Sequence, residues 1–190
     1  MAVVGIIALL AVVGVPAIKG LTGSGGRKQA LAQVLGAFEV ARNTAISSGT
    51  NAAVIFPGST FGSGDAYKYR SMAVVAWNPT NATLPATMVG PWIVLPQGIA
   101  FFPNSILPSA TNVDVRILTT TINGTFPAVV FQSDGGLADG FNPIPTNGVA
   151  FFEGTVNGTT TNPTSRMTNF ETVRLTRYTG RAMATMAPAP

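Results

Sequence analysis

The sequence contains no cysteine and no histidine, and charged residues make up only 9% of its 190 residues. A chain without thiols or imidazoles cannot form disulfides, and it lacks the commonest nucleophiles, general bases and ligands for zinc, copper or haem. Its 7 carboxylates are spread along the chain, and no spacing brings two of them together for acid–base chemistry. We therefore expect neither an enzyme nor a bound cofactor or metal.

Charge of either sign is scarce, since 11 basic and 7 acidic residues give a net charge of +4. The basic residues are too few and too scattered to indicate a nucleic-acid-binding protein by themselves. Outside the N-terminal run the chain is rich in Thr, Asn, Gly and Ser, so its surface is expected to be polar but weakly charged. Such a surface favours an exported protein over a cytosolic one.

The N-terminal run "MAVVGIIALLAVVGVPAI" carries no charge, and Lys19 is the first charged residue. No basic residue precedes the run, which argues against a secretory signal peptide. As a helix the run would be about 27 Å long, marginally enough to span a bilayer. A proline nevertheless lies inside it at Pro16, and four glycines follow shortly after: Gly20, Gly23, Gly25 and Gly26.

The order "IIALLAVVGVPAIKGL" (6–21) resembles the N-terminal segment of type IV pilins and of the pseudopilins of type II secretion. In that family a very apolar helix with a proline near its end continues into an amphipathic helix and a β-rich head. With Pro16 matched to the family's proline, the family's N-methylated first residue and the glutamate after it would lie upstream of Met1. The resemblance implies that apolar side chains of residues 1–19 pack in the core of a filament: Ile6, Ile7, Leu9, Leu10, Val12, Val13 and Val15.

Pro16 and the four glycines weaken the helix at the end of the apolar run. Together they disfavour it by about 7 kcal/mol relative to alanine at the same positions. Relatives in the family unwind part of this helix on assembly, so the resemblance implies a non-helical stretch between Gly14 and Gly26 in the assembled state. The glycines favour residues 20–26 as the break and as the joint between filament core and head.

Residues 27–49, "RKQALAQVLGAFEVARNTAISSG", predict an amphipathic helix. Its apolar side chains recur every three or four residues along one stripe: Leu31, Val34, Leu35, Phe38, Ala41 and Ala45. Ser24 is a candidate N-cap, and Gly49 is a candidate C-terminal stop. The end of the helix, "FEVARNTAISSGT", also resembles the corresponding stretch of H-type minor pseudopilins.

After Thr50 the pattern changes to short apolar or alternating runs separated by Gly, Pro and Asn. The strand candidates are residues 52–57, 71–77, 91–96, 99–103, 114–122, 128–132, 149–154 and 171–178. Short strands at this spacing indicate an antiparallel sheet or β-sandwich, against which the amphipathic helix packs. The predicted fold is α+β, with an apolar helix (1–19), a glycine-rich joint (20–26), an amphipathic helix (27–49) and a β-rich head (50–190).

The stretch "VVFQSDGGLADG" (129–140) runs from a strand into Asp-Gly, which predicts a hairpin turn. It also resembles the F-x-x-D-G hairpin of H-type pseudopilin heads. Asp134 and Asp139 are in principle calcium ligands, but two carboxylates fall short of a calcium loop. Turn chemistry is therefore the favoured interpretation.

Three arginines near the C-terminus, Arg174, Arg177 and Arg181, allow two interpretations. In the first, the arginines lie along a strand edge and keep the protein soluble. In the second, they contact the phosphates of DNA, as C-terminal arginines do during DNA uptake in some pilus-tip relatives of the family that the chain resembles. Solubility is the favoured interpretation. Three asparagines stand in formal glycosylation sequons, which also arise by chance in chains rich in Asn and Thr: Asn81, Asn123 and Asn157.

Two functions follow from these patterns. The first is a structural, pilin-like subunit that polymerises with copies of itself into an extracellular filament, after residence in the inner membrane and with pilus assembly machinery. The second is a monomeric, membrane-anchored surface or receptor domain. Pro16 and the glycines favour the first, because a plain anchor has no use for a weakened helix. Within the first, a major pilin and a minor pseudopilin of type II secretion both stay open.

Overall fold

The structure is a computed structural model, and it describes residues 2–59, 61, 66–78, 86–103, 115–117, 120–122, 126–138, 149–158, 160–163 and 169–188. In this part of the chain one helix precedes a series of short strands, which is the α+β architecture that the sequence predicts. The elements in chain order are α1 (Ala2–Ser48), β1 (Asn51–Ile55), β2 (Ser71–Trp77), β3 (Ala86–Met88), β4 (Ile93–Val94), β5 (Ile99–Phe101), β6 (Val115–Ile117), β7 (Thr120–Ile122), β8 (Ala128–Phe131), β9 (Val149–Asn157), β10 (Thr160–Pro163), β11 (Asn169–Leu175) and β12 (Ala182–Pro188).

Helix α1 is continuous through Pro16 and through the whole of residues 20–26. The single subunit therefore has no helix break at Gly20, Gly23, Gly25 or Gly26, and Ser24 does not cap a second helix. The physical reason is that a break leaves several backbone N–H and C=O groups unpaired, whereas proline removes one hydrogen bond and glycine removes none. The break expected in the assembled state stays a prediction.

The C-terminal end of α1 is closed by Gly49, as the sequence predicts. Gly49 has a left-handed φ of 61°, which glycine adopts without steric strain. Its N–H donates to the carbonyl of Ile46 at 3.4 Å, and the N–H of Thr50 donates to the carbonyl of Ala45 at 3.2 Å. These two bonds form a Schellman motif, which satisfies carbonyls that the helix leaves unpaired.

The predicted apolar stripe of α1 is buried in the head. Val34, Phe38, Ala41 and Ala45 are buried, and Leu31 and Leu35 are partly buried against the same core. Two alanines that the stripe did not include are buried as well: Ala30 and Ala37. The helix therefore enters the head along a face somewhat wider than the sequence pattern indicates.

The described strands form two sheets. Sheet 1 has the order β7-β6-β3-β2-β1-β8, with β4 also paired to β2. Its pairs are antiparallel except for β3 and β6, which run parallel. Sheet 2 has the order β10-β9-β11-β12, with β5 also paired to β9, and its pairs are antiparallel.

Each run predicted as a strand contains strand structure. The run 114–122 differs in detail, because it folds into two antiparallel strands, β6 and β7. Three strands were not predicted: β3, β10 and β12. They are rich in Ala, Thr, Asn and Pro, and β10 and β12 lie at the edges of sheet 2, where little apolar pattern is needed.

The main core lies between α1 and both sheets. The ring of Phe38 lies 6.2 Å from that of Phe56 and 6.3 Å from that of Phe131, and Phe56 makes an edge contact with Phe101 at 5.0 Å. Side chains of sheet 2, including Phe151, complete this core. One helix thus holds two sheets together, and the head is fixed to the second half of α1.

Candidate functional site

Helix α1 first contacts the head, among the described side chains, at residues 26 and 27. A Cβ atom added to Gly26 would lie 3.7 Å from Cβ of Pro96 and 3.8 Å from Cγ1 of Ile99. Next to it, Nε of Arg27 lies 3.1 Å from Oε1 of Glu153 on β9, and both side chains are largely buried. These contacts form the first anchor of the helix, which we call the proximal anchor.

A second anchor, here called the distal anchor, holds the helix near its C-terminal end. Arg42 donates from Nε to the carbonyl of Thr179 at 2.7 Å, in the turn that joins β11 to β12. On the same side of the helix, Ile46 packs so closely against Gly135 that a Cβ atom there would lie 2.7 Å from Cδ1 of Ile46. The two anchors fix α1 to the head from Gly26 to Ile46.

The residues of α1 that precede the proximal anchor continue as helix. Ala2 to Ser24 comprise a stretch about 35 Å long. The residues predicted to pack in a filament core lie in this stretch, but their side chains are outside the described part of the structure: Ile6, Ile7, Leu9, Leu10, Val12, Val13 and Val15. Over the described residues, no helix is both long and apolar enough to cross a membrane.

The hairpin predicted at Asp134 and Gly135 is confirmed. Gly135 has a left-handed φ of 83° and donates to the carbonyl of Gln132 at 2.8 Å. The carboxylate of Asp134 accepts a 2.8 Å hydrogen bond from the N–H of Gly136, so it serves the turn itself. Asp139 lies outside the described residues, and the described part of the chain holds no group of three metal-ligating side chains.

The Asp134 hairpin packs against the β11–β12 turn (176–181) and is hydrogen-bonded to it. Leu137 donates from its N–H to the carbonyl of Arg177 at 2.8 Å. Gly180 has a left-handed φ of 61°, and a Cβ atom there would overlap the carbonyl oxygen of Gly135. This contact between two glycine turns joins sheet 1 to sheet 2, and nothing in the local sequence of either turn predicts it.

The three C-terminal arginines all lie at this end of sheet 2. Arg174 is exposed near the end of β11, and Arg177 and Arg181 are exposed in the β11–β12 turn. The guanidinium of Arg177 lies 6.0 Å from the ring centre of Tyr178, whose side chain is 84% exposed at the tip of the turn. Both interpretations of the arginines, solubility and phosphate contact, remain compatible with this placement.

An apolar groove lies on the other side of α1. It has a volume of about 440 Å³ and is lined by helix residues Gln33, Gly36, Ala37 and Val40 and by head residues Val74, Val89, Gly90, Pro91 and Ile93. Two of these valines are unusually open to solvent for aliphatic side chains, Val40 at 47% and Val89 at 41%. The side-chain oxygen of Gln33 is buried without a hydrogen-bond partner. Sequence reasoning missed the groove, because Gly36 and Val40 fall off the apolar stripe.

A family model described as type II transport protein GspH matches residues 30–176. The chain belongs to the GspH family. This confirms the resemblance to the superfamily of type IV pilins and pseudopilins. Comparisons with curated proteins and with solved structures give no match.

The stretch matched by the GspH family covers some of the features described above and not others. It includes the distal half of α1, the groove and the Asp134 hairpin. It ends before Arg177 and Arg181, and it begins after the proximal anchor. Of the three sequon asparagines, Asn157 is exposed at the β9–β10 hairpin, and Asn81 and Asn123 lie outside the described residues.

Proposed function

We propose that this member of the GspH family is a structural, pilin-like subunit that polymerises through the N-terminal part of α1 into a filament. The observation that carries the proposal is the two-point anchorage of the helix. Among the described side chains the head holds α1 from Gly26 onward, and the uncharged run of residues 1–18 precedes that point in the sequence. An uncharged apolar run that precedes the anchored part of its helix is suited to packing against copies of itself.

The family supports a place in type II secretion rather than a long adhesive pilus. We infer a pseudopilin-type subunit whose partners are copies of itself, related pseudopilins and the assembly machinery, with an inner-membrane pool before assembly. A cell-surface filament is the further expectation from the pilin resemblance. The absence of cysteine and histidine supports a structural role over an enzymatic one.

The proposal is tested with aspartate in the apolar part of α1. In the full chain, Val12→Asp or Leu9→Asp would place a carboxylate in an apolar filament core, at a penalty of several kcal/mol. We expect loss of filaments with the folding of the head unchanged. Filament yield is compared at equal membrane-bound amounts of subunit, because the aspartate also costs free energy in a bilayer. The readouts are filament yield by electron microscopy, subunit content of the membrane fraction, and tryptophan fluorescence.

Ala32→Asp is the matched control, because Ala32 lies on α1 within the head region and is exposed. The control should assemble normally. Normal filaments from Val12→Asp and Leu9→Asp would contradict the proposal and favour the monomeric, membrane-anchored domain.

A further inference from the structure

The groove and the β11–β12 turn lie on opposite flanks of α1. Because Tyr178 lies at its tip, this turn is called the Tyr178 turn below. Val40 lines the groove, and Arg42 binds the turn at Thr179. Residues two positions apart in an α-helix are about 200° apart around its axis, so the side chains of Val40 and Arg42 leave the helix in nearly opposite directions. Ile46 lies on the same side of the helix as Arg42, and it contacts Gly135 of the neighbouring Asp134 hairpin. One copy of the chain therefore presents a projecting aromatic side chain on one flank and an open apolar groove on the other.

The two features also match in chemistry. The groove is apolar except for Gln33, whose buried side-chain oxygen accepts no hydrogen bond. Tyr178 combines an apolar ring with a phenol that donates one hydrogen bond, and its side chain is 84% exposed. A groove of about 440 Å³ has room for an aromatic ring.

The turn that carries Tyr178 is held rigidly before any partner arrives. Thr179 accepts the bond from Arg42, Arg177 accepts the bond from Leu137, and Gly180 packs against the carbonyl of Gly135. Little conformational entropy is lost when a preorganised turn docks, and this favours Tyr178 as an anchor of an interface.

We propose that the Tyr178 turn of one subunit inserts into the groove of the next. The Gln33 side chain, whose unpaired oxygen is covered in the free subunit, then turns so that this oxygen accepts a hydrogen bond from the phenol. This inference rests on the proposed function and deepens it, because it names the contact between heads in the filament. The contact joins two different surfaces, so it does not close on itself as a two-fold pair would, and it propagates into an open helical array. Every subunit except those at the two ends uses both surfaces.

The positions of the turn and the groove along α1 also predict the axial distance between successive subunits. Along the axis of α1, the turn lies at the level of Arg42 and the groove is centred between Gln33 and Val40. The difference corresponds to a shift of about 8 Å at the helical rise per residue. If neighbouring helices run parallel, successive subunits are displaced along the filament by about this distance.

The experiment uses thiol cross-linking, which is specific because the chain contains no cysteine of its own. Gly36→Cys places a thiol in the groove, where a Cβ atom meets nothing within 4 Å, and Thr179→Cys places one on the turn at an exposed position beside Tyr178, which keeps its ring. Filaments of the full chain are treated with a short bis-maleimide and analysed by denaturing electrophoresis. A chain with both cysteines should give a ladder of covalent oligomers, and a mixture of the two single variants should give dimers.

Two controls make the cross-link diagnostic. Either single variant alone should give no dimer, since the contact is not symmetric. Met186→Cys paired with Gly36→Cys should give none either, although Met186 is 69% exposed. Filaments that form without a cross-link between positions 36 and 179 would overturn this inference and leave the proposed function standing. A parent chain that forms no filaments would overturn the proposed function and this inference with it.

A second measurement tests the hydrogen bond. Tyr178→Ala should lower filament yield by about tenfold or more, as expected for an aromatic anchor, whereas Met186→Ala should leave it unchanged. Tyr178→Phe and Gln33→Leu should each reduce the yield, and the double variant should be no worse than the poorer single one. Additive losses in the double variant would refute the pairing of Tyr178 with Gln33.

Discussion

The contact between the two glycine turns predicts an unusually harmful alanine substitution. In Gly180→Ala the residue keeps a φ of 61°, which disfavours an L-amino acid by about 1 kcal/mol. Its new Cβ atom also overlaps the carbonyl oxygen of Gly135 and lies 3.0 Å from Cδ1 of Phe131. A backbone oxygen cannot rotate away as a side chain can, so the β11–β12 turn has to move.

Moving the turn breaks hydrogen bonds that fix the distal anchor. The bond from Leu137 to the carbonyl of Arg177 contributes about 1 kcal/mol, and the bond from Arg42 to the carbonyl of Thr179 contributes about 1.5 kcal/mol because its donor is charged. With the backbone strain, we expect Gly180→Ala to lower the free energy of unfolding by about 3–4 kcal/mol. Urea unfolding of the full chain in detergent, followed by the fluorescence of its two tryptophans, measures this value.

Gly158→Ala is the matched control, because Gly158 has a φ of 62° and a Cβ atom there meets nothing within 4 Å. It carries the same backbone strain without the overlap and should lose only about 1 kcal/mol. Equal losses in the two variants would refute the reasoning, since they would show that the contact between Gly180 and Gly135 relaxes at no cost.

Three further predictions concern the helix and the arginines. A chain lacking residues 1–26 should fold as a soluble monomer, because the rest of α1 and the strands share one core; sedimentation and a thermal melt test this, and an insoluble product would contradict it. Alanine at Gly20, Gly23, Gly25 and Gly26 together should stabilise the helix of the free subunit by about 1 kcal/mol per position and reduce filament assembly. Unimpaired assembly of that variant in electron micrographs would argue against a helix break. Alanine at Arg174, Arg177 and Arg181 should lower solubility without affecting a DNA gel shift, whereas a salt-sensitive loss of binding would support phosphate contacts.

The sequence predicted those features of the fold that depend on residues close together in the chain. The spacing of Val34, Phe38, Ala41 and Ala45 predicted the buried face of α1, because a helix repeats every 3.6 residues. Gly49 predicted the end of the helix, since only its left-handed φ allows both capping bonds. The Asp134 turn was predictable for the same reason, because the carboxylate binds an N–H group two residues away.

The surfaces beside α1 could not be predicted in this way, because they depend on residues far apart in the chain. Gly180 and Gly135 are separated by 45 positions, and their turns belong to different sheets, which meet at this contact. The groove likewise arises where Gly36 and Val40 of the helix meet Pro91 and Ile93 of the head. Weak signals existed, since Gly36 is a glycine inside a predicted helix and Tyr178 is an aromatic residue next to Arg177, but neither reveals its partner.

The glycines of residues 20–25 lie between the apolar run and the proximal anchor. This position suits a joint, even though the helix of the free subunit is continuous there. The anchor begins at Gly26 and Arg27, and the uncharged run ends at Ile18. Unwinding the residues between them would leave in place the described contacts between α1 and the core of the head, which begin at Ala30.

Three glycines in this stretch, Gly20, Gly23 and Gly25, disfavour the helix by about 3 kcal/mol relative to alanine, which makes it a weak part of α1. Seven residues that pass from helical to extended backbone would lengthen the subunit by about 13 Å. In the single subunit the helix is unbroken through this stretch, because a break would leave backbone N–H and C=O groups unpaired. In a filament, packing of the apolar runs and docking of the heads act on opposite sides of the joint. A weak joint would let both sets of contacts form without forcing one rigid helix to satisfy them together.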